Sequence, residues 1–226
     1  MPLSPLQQIR LDMDRAAACA QRPPACLLAV SKTQPAAAIA ALAAEGQRAF
    51  GENYVQEALA KIEALQGLGL EWHLIGHLQS NKAEPVARHF QWVQSVDRPK
   101  LVAALARHRP ADLPPLNVLI QVNIDDESSK HGCQPAQIDA LAAAIAAEPT
   151  LQLRGLMAIP APWPDPARRH AAFARMHALQ QALHGRYPQA DTLSMGMSSD
   201  YAEAVADGAT LVRIGTALFG ARVRPA

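Results

Sequence analysis

Lys32 closes the run Leu27-Leu28-Ala29-Val30-Ser31-Lys32-Thr33, after which the chain passes through Gln34-Pro35 into an alanine-rich stretch. An apolar run of this length, β-branched at Val30 and bounded by proline, suits a strand buried on both faces, as parallel strands in α/β proteins are. A lysine leaving the carboxyl end of such a strand has its charged form disfavoured. Its pKa is expected to fall from about 10.4 towards values at which the free amine attacks a carbonyl, which is Schiff-base chemistry. The competing reading is a lysine whose stem lies along apolar surface with its head in water. Two later segments add a second chemistry. Met195-Gly196-Met197-Ser198-Ser199-Asp200 and Arg213-Ile214-Gly215-Thr216 each set glycine and hydroxyls before a helix, where free amides, hydroxyls and the helix dipole favour an anion. Ser198 or Ser199 as a plain N-cap, and Gly215 as a tight turn, explain either loop taken singly.

The elements that must position these groups alternate strictly. A helix opens at Ser4, the N-cap, with Pro5 in its first position and Leu6, Ile9, Met13 and Ala17 on one face. Eight strand-and-helix units follow, their strands read at 27–33, 48–51, 72–76, 92–95 and 116–124, a sixth ending over 155–159, then 192–196 and 211–215, with helices at 135–147 and 167–183, the latter carrying Gln180 away from its apolar side. Strict βα alternation predicts a parallel sheet. Eight units in a chain near the usual length of about 250 residues predict an α/β fold, a closed (β/α)8 TIM barrel with an extra N-terminal helix, in a single domain over residues 1–226. A doubly wound open sheet is the alternative, but it normally carries a glycine-rich fingerprint after its first strand, and Ser31-Lys32-Thr33-Gln34 has no glycine. Barrels often bind phosphate in the loops after strands seven and eight, and closure sets strand eight about 4.8 Å from strand one. An anion held there lies within one small molecule's length of Lys32. A ligand with a phosphate at one end and an aldehyde at the other meets both demands, and pyridoxal 5′-phosphate (PLP) is such a molecule. Arg213 can then meet the pyridine nitrogen, where a permanent charge keeps that nitrogen unprotonated and weakens the cofactor as an electron sink. Pairing of Arg213 with Glu52 or Asp97 inside the barrel is the alternative.

Six motifs in order carry a resemblance. Leu28-Ala29-Val30-Ser31-Lys32-Thr33, Phe50-Gly51-Glu52-Asn53-Tyr54-Val55-Gln56-Glu57, Trp72-His73-Leu74-Ile75-Gly76-His77-Leu78-Gln79-Ser80-Asn81-Lys82, Gly155-Leu156-Met157, Met195-Gly196-Met197-Ser198 and Val212-Arg213-Ile214-Gly215-Thr216 together resemble the pyridoxal phosphate homeostasis protein family (YggS or PROSC), nearly end to end. The resemblance implies a fold like the N-terminal barrel of alanine racemase and a Schiff base at Lys32. It also implies phosphate contacts from Ser198, Gly215 and Thr216, with Arg213 near the ring nitrogen. Asn53 and His77 match motifs that face the same mouth. Racemases of the related fold use the lysine and a tyrosine from a second domain as two bases. Here Tyr54, Tyr187 and Tyr201 fall in helical or connecting segments. The expected function is therefore to hold PLP as a lysine aldimine in its intracellular homeostasis, with delivery to PLP-dependent apoenzymes. A PLP-dependent racemase is the alternative, and a Schiff-base aldolase a third reading that leaves the motifs unexplained.

Bulk properties exclude several classes. The chain has 226 residues, half of them hydrophobic, with a formal net charge of +1, so it can bury a full core, and nothing points to nucleic acid or a membrane surface. Cys19, Cys26 and Cys133 are odd in number and in no metal-like spacing. They read as reduced packing residues in a cytoplasmic protein. No apolar run approaches the roughly 20 residues that span a bilayer, and a monomer is expected rather than an obligate oligomer. His73 and His77 could share a face, but without an evident third ligand they read as hydrogen-bonded histidines, and no metal is expected. Lys130, in the loop Asp125-Asp126-Glu127 to Lys130-His131-Gly132, could be a secondary aldehyde site, against the default of a solvated lysine.

Overall fold

The computed structural model describes residues 2–220 except 128–130, so Lys130 lies outside the described residues. Eight parallel strands close into a barrel in sequence order. They are β1 (Cys26–Val30), β2 (Ala49–Glu52), β3 (Glu71–Leu74), β4 (Trp92–Val96), β5 (Leu116–Val122), β6 (Leu151–Ala158), β7 (Thr192–Ser194) and β8 (Leu211–Ile214). Around them run α1 (Pro5–Cys19), α2 (Ala36–Ala44), α3 (Val55–Ala64), α4 (Ala83–His89), α5 (Pro99–His108), α6 (Ile138–Ala146), α7 (Pro166–Arg186), α8 (Tyr201–Ala206) and α9 (Thr216–Phe219). The closed parallel barrel with its added N-terminal helix is the fold expected from the alternation.

Local chemistry sets the ends of these elements. At α1, Ser4 and Gln7 form a reciprocal capping box and Pro5 occupies the first turn, which satisfies two otherwise orphaned amides. The helix buries Leu6, Ile9, Met13 and Ala17, the face read from their spacing. Gly46, with φ of +94°, turns the chain out of α2. Among the described residues, no helix is long and apolar enough to cross a membrane.

Several boundaries differ from the sequence reading. Strand β1 stops at Val30, and Lys32 sits in the turn beyond it. Strand β6 begins at Leu151 and ends at Ala158, one residue short of the Gly155–Ile159 stretch read as its end; Gln152 and Arg154 break the apolar pattern but occupy half-buried positions of a strand that alternates. The segment Pro135–Gln137 is a 3₁₀ turn, and α6 begins only at Ile138. Gln180, expected on an outer face of α7, is buried. Its Oε1 accepts from the Leu156 amide at 3.0 Å and its Nε2 donates to the Ala190 carbonyl at 2.6 Å, so a polar side chain joins α7 to the barrel. Of the three cysteines read as packing residues, only Cys133 is buried, while Cys19 and Cys26 are exposed. Burial pushes the Cys133 thiol up to about 12, which leaves it an inert packing group.

Candidate active site at the carboxyl rim of the barrel

Barrel closure decides what meets what. In the β1–β8 register Leu28 faces Arg213 and Ala29 faces Ile214, which brings Gly215 to Val30, two residues before Lys32. A Cβ built on Gly215 would lie 3.4 Å from the Val30 carbonyl oxygen. A cavity of about 300 Å³ opens at this carboxyl rim. Its walls include Lys32, Asn53, Ser198, Arg213, Gly215 and Thr216, six of the seven candidate residues. That volume is at the lower end of the range of about 300 to 1,000 Å³ for small-molecule sites. Further wall residues are Ile75 and Ile159, which supply apolar surface, and Met197, Ser199 and Gly220 from the loops.

The cavity has the polarity of a site for an anionic, hydrogen-bonding ligand. The Asn53 side-chain oxygen is buried and has no hydrogen-bond partner among the described residues, an acceptor left for a ligand to satisfy. Ser198 Oγ accepts from the Gly215 amide at 3.4 Å, linking the loops after β7 and β8. The N-cap of α8 is Asp200, not Ser198 or Ser199, and Asp200 Oδ1 accepts from the Met197 amide at 2.6 Å. The two serine hydroxyls are thus not committed to capping. Helices α8 and α9 span six and four residues, so individual amides and hydroxyls, rather than a long macrodipole, are what these loops offer an anion.

Arg213 is 4% exposed, and burial lowers its pKa to about 10, which leaves it a cation at neutral pH. Its Nη1 donates to Ser194 Oγ at 2.7 Å and its Nη2 to the Ala158 carbonyl at 2.8 Å. The alternative pairing with Glu52 or Asp97 is not what the structure shows: Glu52 pairs with Lys61 and Asp97 with Arg98. From Arg213 a column of buried hydrogen bonds crosses the barrel. Ser194 Oγ donates to Gln94 Oε1 at 2.7 Å, and Gln94 Nε2 lies 2.9 Å from His73 Nδ1. His73 Nε2 is 2.8 Å from Glu71 Oε1. An amide nitrogen only donates, so His73 Nδ1 is the acceptor and Nε2 carries the proton to Glu71. Burial pushes the His73 pKa down, against the pull of Glu71. Sequence reasoning missed Ser194 and Gln94, whose polarity inside buried strands was the available signal.

His77 stands apart from the cavity. Gly76 approaches Asn53 so closely that a Cβ there would meet the Asn53 carbonyl oxygen at 2.1 Å. The chain then carries His77 towards β4 and β5, where its exposed ring stacks on His131 at 3.8 Å. His73, hydrogen-bonded as read from the sequence, thus does not share a site with His77. Instead, ligand atoms of His77, Asp97 and His131 lie within 4.8 Å of one another. The two rings stack at 15°, so their nitrogen lone pairs lie in nearly parallel planes instead of converging on one ion, and Asp97 is held by Arg98. None of Tyr54, Tyr187 and Tyr201 lines the cavity; Tyr54 caps α3 in an exposed position, and the Tyr201 hydroxyl reaches Asp12 at 3.4 Å.

Comparison with known proteins agrees with this architecture. Residues 5–223 match the family described as alanine racemase, N-terminal domain. The pyridoxal phosphate homeostasis protein of Pseudomonas aeruginosa is 57% identical over 209 residues, covering 92% of this chain and 90% of that protein. The protein of the same name from Escherichia coli is 54% identical over 222 residues, covering 96% and 95%. Among solved structures, PipY of Synechococcus elongatus with PLP bound superposes with a TM-score of 0.79 at 40% identity, over 92% of this chain and all (100%) of that one. Alanine racemase of Corynebacterium glutamicum, at 22% identity and a TM-score of 0.65, shares the fold over 93% of this chain and 59% of its own. The chain belongs to the pyridoxal phosphate homeostasis protein family, built on the barrel of the alanine racemase N-terminal domain.

Proposed function

We propose that this chain binds pyridoxal 5′-phosphate at the carboxyl rim of its barrel and serves in PLP homeostasis, holding the vitamer through Lys32 and releasing it to PLP-dependent apoenzymes. The observation that carries the reading is the single cavity wall on which Lys32, Arg213 and the loops after β7 and β8 meet. Support also comes from PipY, 40% identical, whose structure holds PLP. When bound, the cofactor supplies an electrophilic aldehyde carbon. Lys32 supplies the amine for it, with water as the leaving group. Ser198, Gly215 and Thr216 bind the phosphate through hydroxyl and amide donors. Asn53 offers its unpartnered oxygen to a polar group of the ligand, and Arg213 orients the ring from its nitrogen side. His77 is given no contact with the ligand, because it lies outside the cavity wall.

Arg213 also bears on catalysis. Its charge, held in place by Ser194 and Ala158, opposes protonation of a ring nitrogen beside it, and an unprotonated ring stabilises a carbanion poorly. A holding role follows more naturally than racemisation. We take residues 1–226 as one functional unit, monomeric and cytoplasmic. The test is to mix the PLP-loaded protein with a PLP-dependent apoenzyme and follow recovery of that enzyme's activity, with L- and D-amino acids monitored in deuterated water. Transfer without change of chirality is expected. Steady racemisation with deuterium entering the α-position would replace the carrier reading by an enzymatic one.

A further inference from the structure

Lys61, on α3, is absent from the cavity wall and only 7% exposed, yet its ammonium is fully engaged just behind Lys32. Nζ donates to the Ser31 carbonyl at 2.7 Å, to Glu52 Oε1 at 2.7 Å and to Glu57 Oε1 at 2.6 Å. The same two carboxylates grip the turn on either side of Lys32. Ser31 Oγ donates to Glu52 Oε1 at 2.6 Å, and the Thr33 amide donates to Glu57 Oε1 at 2.5 Å. Thr33 has φ of +64°, an unfavourable conformation for a β-branched residue that persists only where surrounding contacts impose it. Here the imposing contacts are these charge-assisted hydrogen bonds.

We infer that Lys61 is a positioning residue for Lys32: with Glu52 and Glu57 it clamps Ser31 and Thr33 and so fixes the turn that presents the Lys32 amine to the cavity. The inference rests on the proposed bond between Lys32 and the PLP aldehyde. Glu52 is fully buried, and burial pushes its carboxyl up while hydrogen bonds from Lys61 and Ser31 pull it down. Removing the Lys61 charge leaves two neighbouring carboxylates without their shared cation. One then takes up a proton or moves, and the clamp on the turn is lost. Mere neutralisation of buried charge would need only one acidic partner. Three acceptors converge on Lys61 Nζ, one the Ser31 carbonyl and the other two the carboxylates that hold Ser31 Oγ and the Thr33 amide, which marks a device that sets a backbone conformation.

The test compares two kinds of binding in Lys61→Met and Glu57→Ala proteins. The first is the rate at which PLP becomes borohydride-trappable on Lys32. The second is the affinity for pyridoxine 5′-phosphate, which has the ring and phosphate but no aldehyde. Misplacement of a reacting group by about 1 Å costs up to about 100-fold, so capture at Lys32 is expected to slow by about 10- to 100-fold while pyridoxine 5′-phosphate affinity stays at the wild-type value. Lys61→Arg, which keeps the charge, is expected to restore part of the rate. Glu57 is partly exposed, so Glu57→Ala provides a folded variant if Lys61→Met does not fold. Equal losses of capture and of pyridoxine 5′-phosphate affinity would make the network a general structural support and overturn the inference. Unimpaired capture in folded variants, with wild-type protein reacting at Lys32, overturns it alone; wild-type reaction elsewhere than Lys32 overturns both it and the binding reading.

Discussion

Lys32 and Ser198 are proposed to address opposite ends of the ligand, so substitutions at them separate two kinds of binding. Lys32→Ala is expected to abolish the borohydride-trapped adduct while a phosphate-dependent affinity persists in titrations with PLP. Complete loss of binding would mean that the loops after β7 and β8 form no anion site of their own. Ser198→Ala removes one hydroxyl donor to a charged group, worth about 1.5 to 3 kcal/mol. Equilibrium titration should then show PLP affinity lower by roughly 10- to 150-fold. The residues that line the cavity were legible in the sequence because each had a positional reason: Lys32 after an apolar run, and glycine with hydroxyls after the last strands. His77 was misplaced because a motif in an extended segment does not reveal the turn at Gly76. Ser194 and Gln94 were overlooked because their task is to orient Arg213 across the barrel, and only closure shows that β7 and β4 confront each other.

Elements place these residues through close backbone approaches that a sequence hides. Gly76 between β3 and α4 is the sharpest case: an added methyl would sit 2.1 Å from the Asn53 carbonyl oxygen and 2.7 Å from its Cα, atoms that cannot yield without moving the loop after β2. Gly76→Ala is expected to destabilise the fold by about 1 to 3 kcal/mol, as overpacking commonly does, and to weaken PLP binding through displacement of Asn53. Thermal melts and titration would show both effects. At α1 the capping box offers a milder test. Ser4→Ala should cost about 1 kcal/mol, which lowers Tm by about 2 to 4 °C in a chain of this size. The N-cap was legible from Ser4-Pro5, as was the buried stripe behind it, while the reciprocal bond from Gln7 was not read. Gln180 was not, since a glutamine at helical spacing reads as solvent-facing until the Leu156 amide and Ala190 carbonyl are seen to need it.

The whole molecule is a barrel whose interior is not uniformly apolar, and this gives its stability a dependence on pH. His73 is buried in the polar column with its pKa held below the usual histidine value of 6.5. The unfolded chain therefore binds the proton that the folded protein refuses between that lowered pKa and 6.5. Stability is full above about pH 6.5 and falls as pH drops through this window, by up to about 1.4 kcal/mol per pH unit for one proton. His77 and His177 shift in the same direction but are less buried, while Glu52, with its pKa raised, opposes them at lower pH. Denaturant unfolding from pH 7.5 to 5, on the order of the range over which histidines titrate, should show a shallower slope in His73→Gln than in the wild type. An unchanged slope would remove His73 as its source. The measurement that bears most directly on the account is the visible absorption spectrum of purified protein with added PLP, before and after borohydride, followed by peptide mass analysis. The expected result is a band lost on reduction and a pyridoxyl-phosphate mass on the peptide containing Lys32. No band, or a reduced adduct on any other residue, would contradict the assignment of this barrel rim as the PLP site.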